Sequence, residues 1–333
     1  MSLGTGTRRG FACVGCWTAD RIKHVDAWPA EETLATIRRI DRHGGGSAHN
    51  FGHDVRRLDP GMPVAAFGLL GRDPDGDFLF DGARAAGMDV SGLLRDGALR
   101  TSFTDVVTVR GTGRRTFFHH PGTNDALAPD DVDLSGTNAR VLHLGLVGLH
   151  ARLDAPWEGE PNGWVAILKA ARALGMATNL ELVSIEPERQ RSLCLPTLPL
   201  LDTLIVNDHE IGSLAGLDTL PGGATDAGAC ERAARRTLEL GVRELVVVHW
   251  PGGAVGVARD GTTVRLPSLR VDPASIAGAV GAGDAFAAGT WLALHEGEPL
   301  EAAIGLGHRT AAASLRSADA VGGVGPADGL QRP

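Results

Sequence analysis

The chain has no tyrosine, and aromatic residues make up only 5% of its 333 positions. Stacking on a nucleobase needs aromatic faces, so this scarcity disfavours a base-stacking pocket, although Phe and Trp remain. Cysteine is also sparse: Cys13, Cys16, Cys194 and Cys230. Cys13-x-x-Cys16 overlaps the apolar run Phe11–Val14 and has no second pair to complete a zinc site. Buried free thiols fit better, in a reducing, cytoplasmic setting. No run of about 18 apolar residues suggests a membrane span, and no charged start followed by an apolar stretch suggests a signal peptide. None of the twelve histidines sits in a His-Glu-x-x-His pattern, so none is assigned to metal. A net charge of −8 disfavours nucleic acid as a partner.

Glycine, in contrast, is abundant, and its clusters carry the chemistry. Gly278–Gly289 reads Gly-Ala-Val-Gly-Ala-Gly-Asp-Ala-Phe-Ala-Ala-Gly. Gly281, Ala282 and Gly283 run into an apolar, helical segment containing Phe286, Trp291 and Leu292. Backbone N–H groups of such a loop, with the helix dipole behind them, bind an anion. Asp284 then lies in the first turn beside that anion, where a carboxylate is useful if it takes a proton from an attacking hydroxyl. An ordinary glycine turn with Asp284 as a helix-start residue is the plainer alternative. No Gly-Lys-Ser/Thr follows, which excludes a P-loop.

Two further segments bear on that choice. Asn207-Asp208-His209-Glu210 follows the apolar run Leu201–Val206. A strand ending there and a helix starting at Asp208 place Asn207 and Glu210 at the carboxyl edge of a sheet, where open α/β folds bind ligands. An amide oxygen, a carboxylate and waters suit Mg²⁺. The same residues also read as a capped helix start. Gly44-Gly45-Gly46 opens a helix whose apolar face is Ala48, Phe51, Val55 and Leu58. Asn50, in its first turns, offers a donor and an acceptor to hydroxyl groups.

Apolar runs at Phe11–Val14, Val64–Gly68, Val141–Gly145, Ala177–Leu180, Leu204–Val206 and Leu245–Val248 alternate with helical segments such as Gly76–Ala86, Gly163–Leu174 and Ala224–Leu240. That alternation predicts a mainly parallel central sheet with helices on both faces. Two stretches break it, about residues 16–43 and 101–124. Phe103–Arg110 and Arg115–His119 flank Gly111-Thr112-Gly113, a hairpin signal. Asp154–Trp164 reads as a loop insertion, and Gly322–Pro333 as a frayed tail.

Taken together and in order, these segments resemble the ribokinase, or PfkB, family of carbohydrate kinases, from about Phe11 to about Ala313. Gly281-Ala282-Gly283-Asp284 resembles the family's C-terminal signature, and Gly45-Gly46-Ser47-Ala48-His49-Asn50 its N-terminal one. Asn207-x-x-Glu210 resembles its magnesium motif. Phe67-Gly68-Leu69-Leu70-Gly71-Arg72-Asp73 with Gly76, Pro121-Gly122-Thr123-Asn124, and Gly15 followed by Asp20 match further family segments. The resemblance implies a single ribokinase-like α/β domain over residues 1–333, with a small β-sheet lid built from the two irregular stretches. It implies an ATP-dependent kinase for a hydroxyl of a sugar or sugar derivative, with a nucleoside kinase or a sugar-sensing pseudokinase as alternatives. Asp284 takes the general base's place, and Gly281, Ala282 and Gly283 the anion hole. Asp20, Gly45, Gly46 and Asn50 take the sugar-binding positions. Asn207 and Glu210 hold Mg²⁺ and phosphate through water, and Gly253 approaches the nucleotide.

The departures from the family pattern carry expectations too. Gly278, Ala279 and Val280 replace the usual Asp-Thr-Thr before the glycine loop, so little K⁺ dependence is expected. Val248-His249-Trp250-Pro251-Gly252-Gly253 keeps only the last glycine of the usual nucleotide loop, with Trp250 read as a buried aromatic ahead of one packed near the nucleotide. Asn179-Leu180-Glu181 stands where many relatives carry aspartate and asparagine. The lid's exposed strand edges predict a homodimer through the lids.

Overall fold

The structure is a computed structural model that describes residues 7–112 and 114–330. Thirteen strands are formed among them: β1 (Phe11–Gly15), β2 (Thr18–Val25), β3 (Ile37–Gly45), β4 (Val64–Gly71), β5 (Asp89–Asp96), β6 (Phe103–Val109), β7 (Arg115–His120), β8 (Val141–Gly145), β9 (Ala177–Leu180), β10 (Thr203–Asn207), β11 (Leu245–Trp250), β12 (Gly253–Ala258) and β13 (Thr263–Pro267). Nine of them make one sheet in the order β13-β12-β11-β10-β9-β8-β1-β4-β5. From β11 to β5 every pairing is parallel, whereas β12 and β13 add an antiparallel edge.

The alternation of side chains along β1 explains why the sheet is covered twice. Phe11 and Cys13 point to one core, with Phe51, Val55, Phe286 and Trp291 from helices Ser47–Leu58 and Ala282–His295. Ala12 and Val14 point to the other, with Trp164, Leu168, Ile211 and Leu238 from helices on the opposite face. A strand buried on both faces has no polar side to show, hence its continuous apolar run. All four cysteines are free and buried.

The lid is a separate four-stranded sheet, β3-β2-β6-β7. Its central pair is parallel, β2 with β6, and its outer pairs are antiparallel. The turn between β6 and β7 falls where the glycines predict it, with Gly113 lying outside the described residues. Phe117, Phe118 and Ile40 are exposed on the two outer strands.

Three expectations change. Trp164 is not part of a surface insertion: it is buried in helix Gly163–Ala173, and its Nε1 donates to Asp154 at 2.8 Å, closing the loop before it. The tail is packed over residues 322–330, with Val324 in the core and Leu330 against it; residues 331–333 lie outside the described ones. Helix Pro74–Ala85 begins two residues before the predicted start, because Asp73 accepts a hydrogen bond from the Gly76 N–H and proline occupies the first turn.

Candidate active site

Because the strands of the parallel sheet run together, β1, β8, β9 and β10 all end on one edge. Two helices start there without a side-chain cap. The first, Ala282–His295, is preceded by Gly281 at φ 79°. A Cβ at Gly281 would sit 2.4 Å from the Ala320 carbonyl oxygen, so only glycine fits both the left-handed backbone and the space. The first-turn N–H groups of this helix have no intrahelical carbonyl to meet, and no side chain takes one. The Ala282 N–H turns back to the Ala279 carbonyl at 3.4 Å. Gly281 and Gly283 flank it at the helix start, where an anion can meet the remaining N–H groups, with Asp284 beside them.

The second helix, Ser47–Leu58, follows Gly46 at φ 91°, again with no side-chain cap. Gly44 and Gly45 belong to the end of β3 rather than to the helix. A Cβ on Gly45 would lie 2.5 Å from Asp20 Oδ2, so the absent side chain is what seats the Asp20 carboxyl. Burial pushes Asp20 up to about 6, against an opposing hydrogen bond from Thr104. The two helices pack on each other, and at their starts Asn50 Nδ2 donates to Asp284 Oδ2 at 2.7 Å. His49 lies 2.9 Å from Asn50 Oδ1 through its Nδ1. Burial drives His49 down to about 4, so it is neutral, and donation from its Nδ1–H orients the Asn50 amide toward Asp284.

Two members of the site stand out in the sequence only as a departure from the family pattern, with no role attached. Asn179 and Glu181 are two residues apart at the end of β9, hence on one face. Asn179 Nδ2 meets His143 Nδ1 at 3.1 Å, and His143 Nε2 faces Glu181 Oε2 at 2.8 Å. Burial pushes His143 down to about 3, so the ring is neutral; its Nε2 and Glu181 Oε2 lie close but make no hydrogen bond. Glu181 is in turn hydrogen-bonded to Asp284. Burial raises Glu181 to about 7. Burial and the adjacent Glu181 hold Asp284 well above the usual carboxylate range, while the Asn50 amide favours its ionised form. The period-two spacing of Asn179 and Glu181 was the available signal.

Asn207 and Glu210 form a reciprocal cap: Glu210 N–H donates to Asn207 Oδ1 at 2.8 Å, and Asn207 N–H to Glu210 Oε2 at 3.2 Å. Ser184 Oγ donates to the other carboxylate oxygen at 3.4 Å. Glu210 is buried, and burial raises it to about 7. A buried carboxylate whose neighbours of like kind are Glu181 and Asp284 suits a nearby cation. Among the described residues no group of three or more His, Cys, Asp or Glu converges to hold a metal directly. A cation here would keep most of its water, which is the habit of Mg²⁺.

Beside the Gly281 helix start opens a cavity of about 620 Å³. Its walls include Asn207, His249, Trp250, Leu269, Gly283 and Phe286. Trp250 is half-buried: it packs against the edge of the core and also lines this space, so it sits between the two roles read from the sequence. Gly253 is not on the wall. It sits within β12, where a Cβ would meet the Leu266 carbonyl oxygen at 2.7 Å and the Trp250 ring at 3.3 Å, so it gives room to the strand pairing and the tryptophan.

The remaining matched segments are structural supports. Phe67 O accepts from Trp17 Nε1 at 3.0 Å, and Gly68 leaves room for that ring. Asn124 Oδ1 accepts from the Trp17 N–H and its Nδ2 donates to Cys16 Sγ, both at 3.4 Å. Together they fix the β1–β2 turn that leads into Asp20 on β2.

A mostly parallel sheet, a lid, and an acid beside an uncapped glycine helix start define a phosphotransferase of the ribokinase-like fold. Residues 9–324 match the model of the pfkB family carbohydrate kinases, and the chain belongs to that family. It is 23% identical over 293 residues to 5-dehydro-2-deoxygluconokinase from Clostridium perfringens, covering 85% of this chain and 81% of that one. It is 30% identical over 259 residues to fructokinase-1 from Zea mays, covering 76% and 74%. In fold it matches Arabidopsis thaliana ribokinase complexed with ribose and ATP, with a TM-score of 0.80 and 18% identity over 97% of each chain. The protein is therefore a kinase of sugar or nucleoside hydroxyls. No helix among the described residues is long and apolar enough to cross a membrane.

Proposed function

We propose that the protein transfers the γ-phosphoryl group of ATP to a hydroxyl of a sugar or sugar derivative, with Asp284 as general base. The observation that carries this reading is the 2.7 Å bond from Asn50 to Asp284, which ties the acceptor side of the site to the uncapped helix start. Asp20, Asn50 and the cradle made by Gly45 and Gly46 hold the acceptor's hydroxyls. Asp284 accepts the proton of the reacting hydroxyl, whose oxygen bonds to the γ-phosphorus as the bond to the ADP oxygen breaks. Charge on the transferring oxygens meets N–H donors of Gly281–Asp284 that are already aimed and need no reorganisation. The nucleotide lies in the cavity beside Trp250 and His249, whose apolar walls and size suit it.

Asn207 and Glu210 would hold Mg²⁺ largely through water, supplying positive charge to the phosphates. The lid closes over the acceptor and keeps out water, a competing phosphoryl acceptor. The test is ADP release with ATP and Mg²⁺ across sugars, sugar derivatives and nucleosides. Acceptor-dependent release with a sugar is expected; nucleosides alone as acceptors would replace this reading with the nucleoside kinase.

A further inference from the structure

We infer that the acceptor is an uncharged polyhydroxyl compound, and that the site rejects acceptors bearing a carboxylate or phosphate. The inference rests on the kinase reading above and concerns the charges around the acceptor. Asp20, Glu181 and Asp284 line that side, with Glu210 behind them. Their polar neighbours are Thr104, His143, Asn50, Asn207 and Ser184, and among the described residues no Lys or Arg pairs with any of them. The nearby imidazoles of His49 and His143 are neutral. An anionic acceptor would enter a partly dehydrated space already holding carboxyl groups and would find no counter-charge.

The lid reaches the same result by register. Asp20 stands in a row with His43, Thr104 and His119. In a sheet the next row faces the other way, and that row holds the cations nearest Asp20. On the acceptor's own face Arg39 and Arg115 stand two side-chain rows further out, in register with His24 and Thr108, and Arg39 pairs with Asp41. Arg21 lies over the Phe103 ring and pairs with Asp75; Arg42 lies over Phe78 and pairs with Asp75. Lys23, on the same far face, pairs with Asp105. The acceptor-facing row offers hydroxyl-binding groups instead: a carboxyl, a threonine hydroxyl and two imidazoles. His43 is engaged with Asp319 at 3.5 Å. His119 is held below its ordinary value by partial burial, and its Nδ1 lies 3.1 Å from Thr104 Oγ1.

The experiment compares neutral aldoses and ketoses with their aldonic acids and their 1- and 6-phosphates, measured by ADP release at equal ionic strength. The best neutral acceptor should exceed every charged counterpart by about 100-fold in kcat/KM, a ratio read as differential transition-state binding. A charged acceptor within tenfold of it, or better, overturns the inference. ADP release with no acceptor at all in the panel would instead defeat the kinase reading, so the two failures are distinct. His119→Arg places a cation in the acceptor-facing row on an exposed edge strand, where folding tolerates it. It should narrow the neutral-to-charged ratio at least about tenfold by supplying the missing counter-charge. An unchanged ratio in that variant means the row does not face the acceptor, and overturns the inference as well.

Discussion

Among the longer helices, some are closed by a side chain, two start from a glycine at positive φ, and Leu300–Ser314 starts from Pro299 without a side-chain cap; the contrast between the first two kinds marks the site. Helices Pro74–Ala85, Gly163–Ala173, Asp208–Ala215 and Ala227–Glu239 are each closed by a side chain: Asp73, Asn162, Asn207 and Asp226 accept from first-turn N–H groups. Helices Ser47–Leu58 and Ala282–His295 start instead from Gly46 and Gly281 at positive φ, with no side-chain cap. A good cap contributes about 1 kcal/mol, so the two glycine starts forgo stability. What they keep is a set of N–H donors open to a ligand, and these are the two helices whose starts meet at Asn50 and Asp284.

The largest expected effect comes from the side chain at the uncapped start. Asp284→Asn should lower kcat by about 10²–10⁴-fold while leaving nucleotide and acceptor affinity near wild type. More than a third of wild-type turnover in that variant would remove Asp284 from the base's role.

The glycines themselves come next. Gly281→Ala puts a Cβ into the Ala320 carbonyl at a positive φ, and should cost about 2 kcal/mol or more in stability together with activity. In Gly283→Ala the nearest atom beyond the helix's own is His249 Cε1 at 3.5 Å, an ordinary contact inside a helix. There alanine should stabilise by up to about 1 kcal/mol, and any harm should fall on ATP affinity alone. Asp226→Ala, at a side-chain-capped start, should lower the melting temperature by losing its cap to Gly228 and Ala229, with kcat unchanged. Thermal melts with Gly281 and Gly283 in the opposite order would break the contrast.

Asn207 and Glu210 blur the contrast, since they both cap a helix and face the site. Glu210→Gln separates the roles, because glutamine still closes the capping box but carries no charge. The Mg²⁺ concentration for half-maximal rate should rise several-fold; an unchanged titration would leave Glu210 as a cap only. The same group speaks through pH. Glu181 and Glu210 are each raised to about 7 by burial, above their values in the unfolded chain. The stability this gives is fully present below about pH 4.3 and is lost as pH rises through 7. The buried imidazoles of His49, His143, His150 and His249, all held below their ordinary value, add stability as pH rises through about 6.5 and so oppose this trend in the whole protein. The carboxyl contribution is read as a difference: the melting temperature of Glu210→Gln relative to wild type should rise between pH 5.5 and 8, and a difference that stays flat over this interval would contradict the burial of Glu210.

Much of this was legible in the chain, for identifiable reasons. β1, β4, β8, β10 and β11 are buried on both faces and write continuous apolar runs. Asp20, Gly45, Gly46, Asn50 and Asp284 stand out because their local spacing matches the motifs of the family. β12 and β13 escaped notice since Gly253–Ala258 carries two glycines and β13 is a half-exposed edge, so neither shows a strand's usual period. Glu181 was seen only as a departure from the family pattern. Its role beside Asp284 depends on β9 lying next to β8, a long-range pairing that no local pattern records. Gly253 was misplaced for the opposite reason: a loop motif was matched where the backbone makes a strand.

The smallest expected effect concerns the loop that precedes Gly281. Gly278, Ala279 and Val280 bring no side-chain oxygen to a monovalent cation, and Val280 is 40% exposed. A carboxylate from upstream would have to come from Asp272, but its Oδ1 accepts from the Ala274 N–H at 3.0 Å, closing its own turn. The loop is instead tied by backbone. Ala277 N–H donates to the Leu315 carbonyl at 2.8 Å, and a Cβ at Gly278 would meet the Ser317 oxygen at 3.2 Å. Carbonyl oxygens are thus at hand, but without a full negative charge they hold a hard cation weakly. The shape of the Gly281 start is already fixed by its contact with Ala320, so a cation has little left to organise. Rates in potassium chloride and tetramethylammonium chloride at equal ionic strength should agree within about threefold, less than 1 kcal/mol in barrier. Activation of tenfold or more by K⁺ would show that the carbonyls suffice, and that this glycine start, unlike the one at Gly46, depends on an ion for its shape.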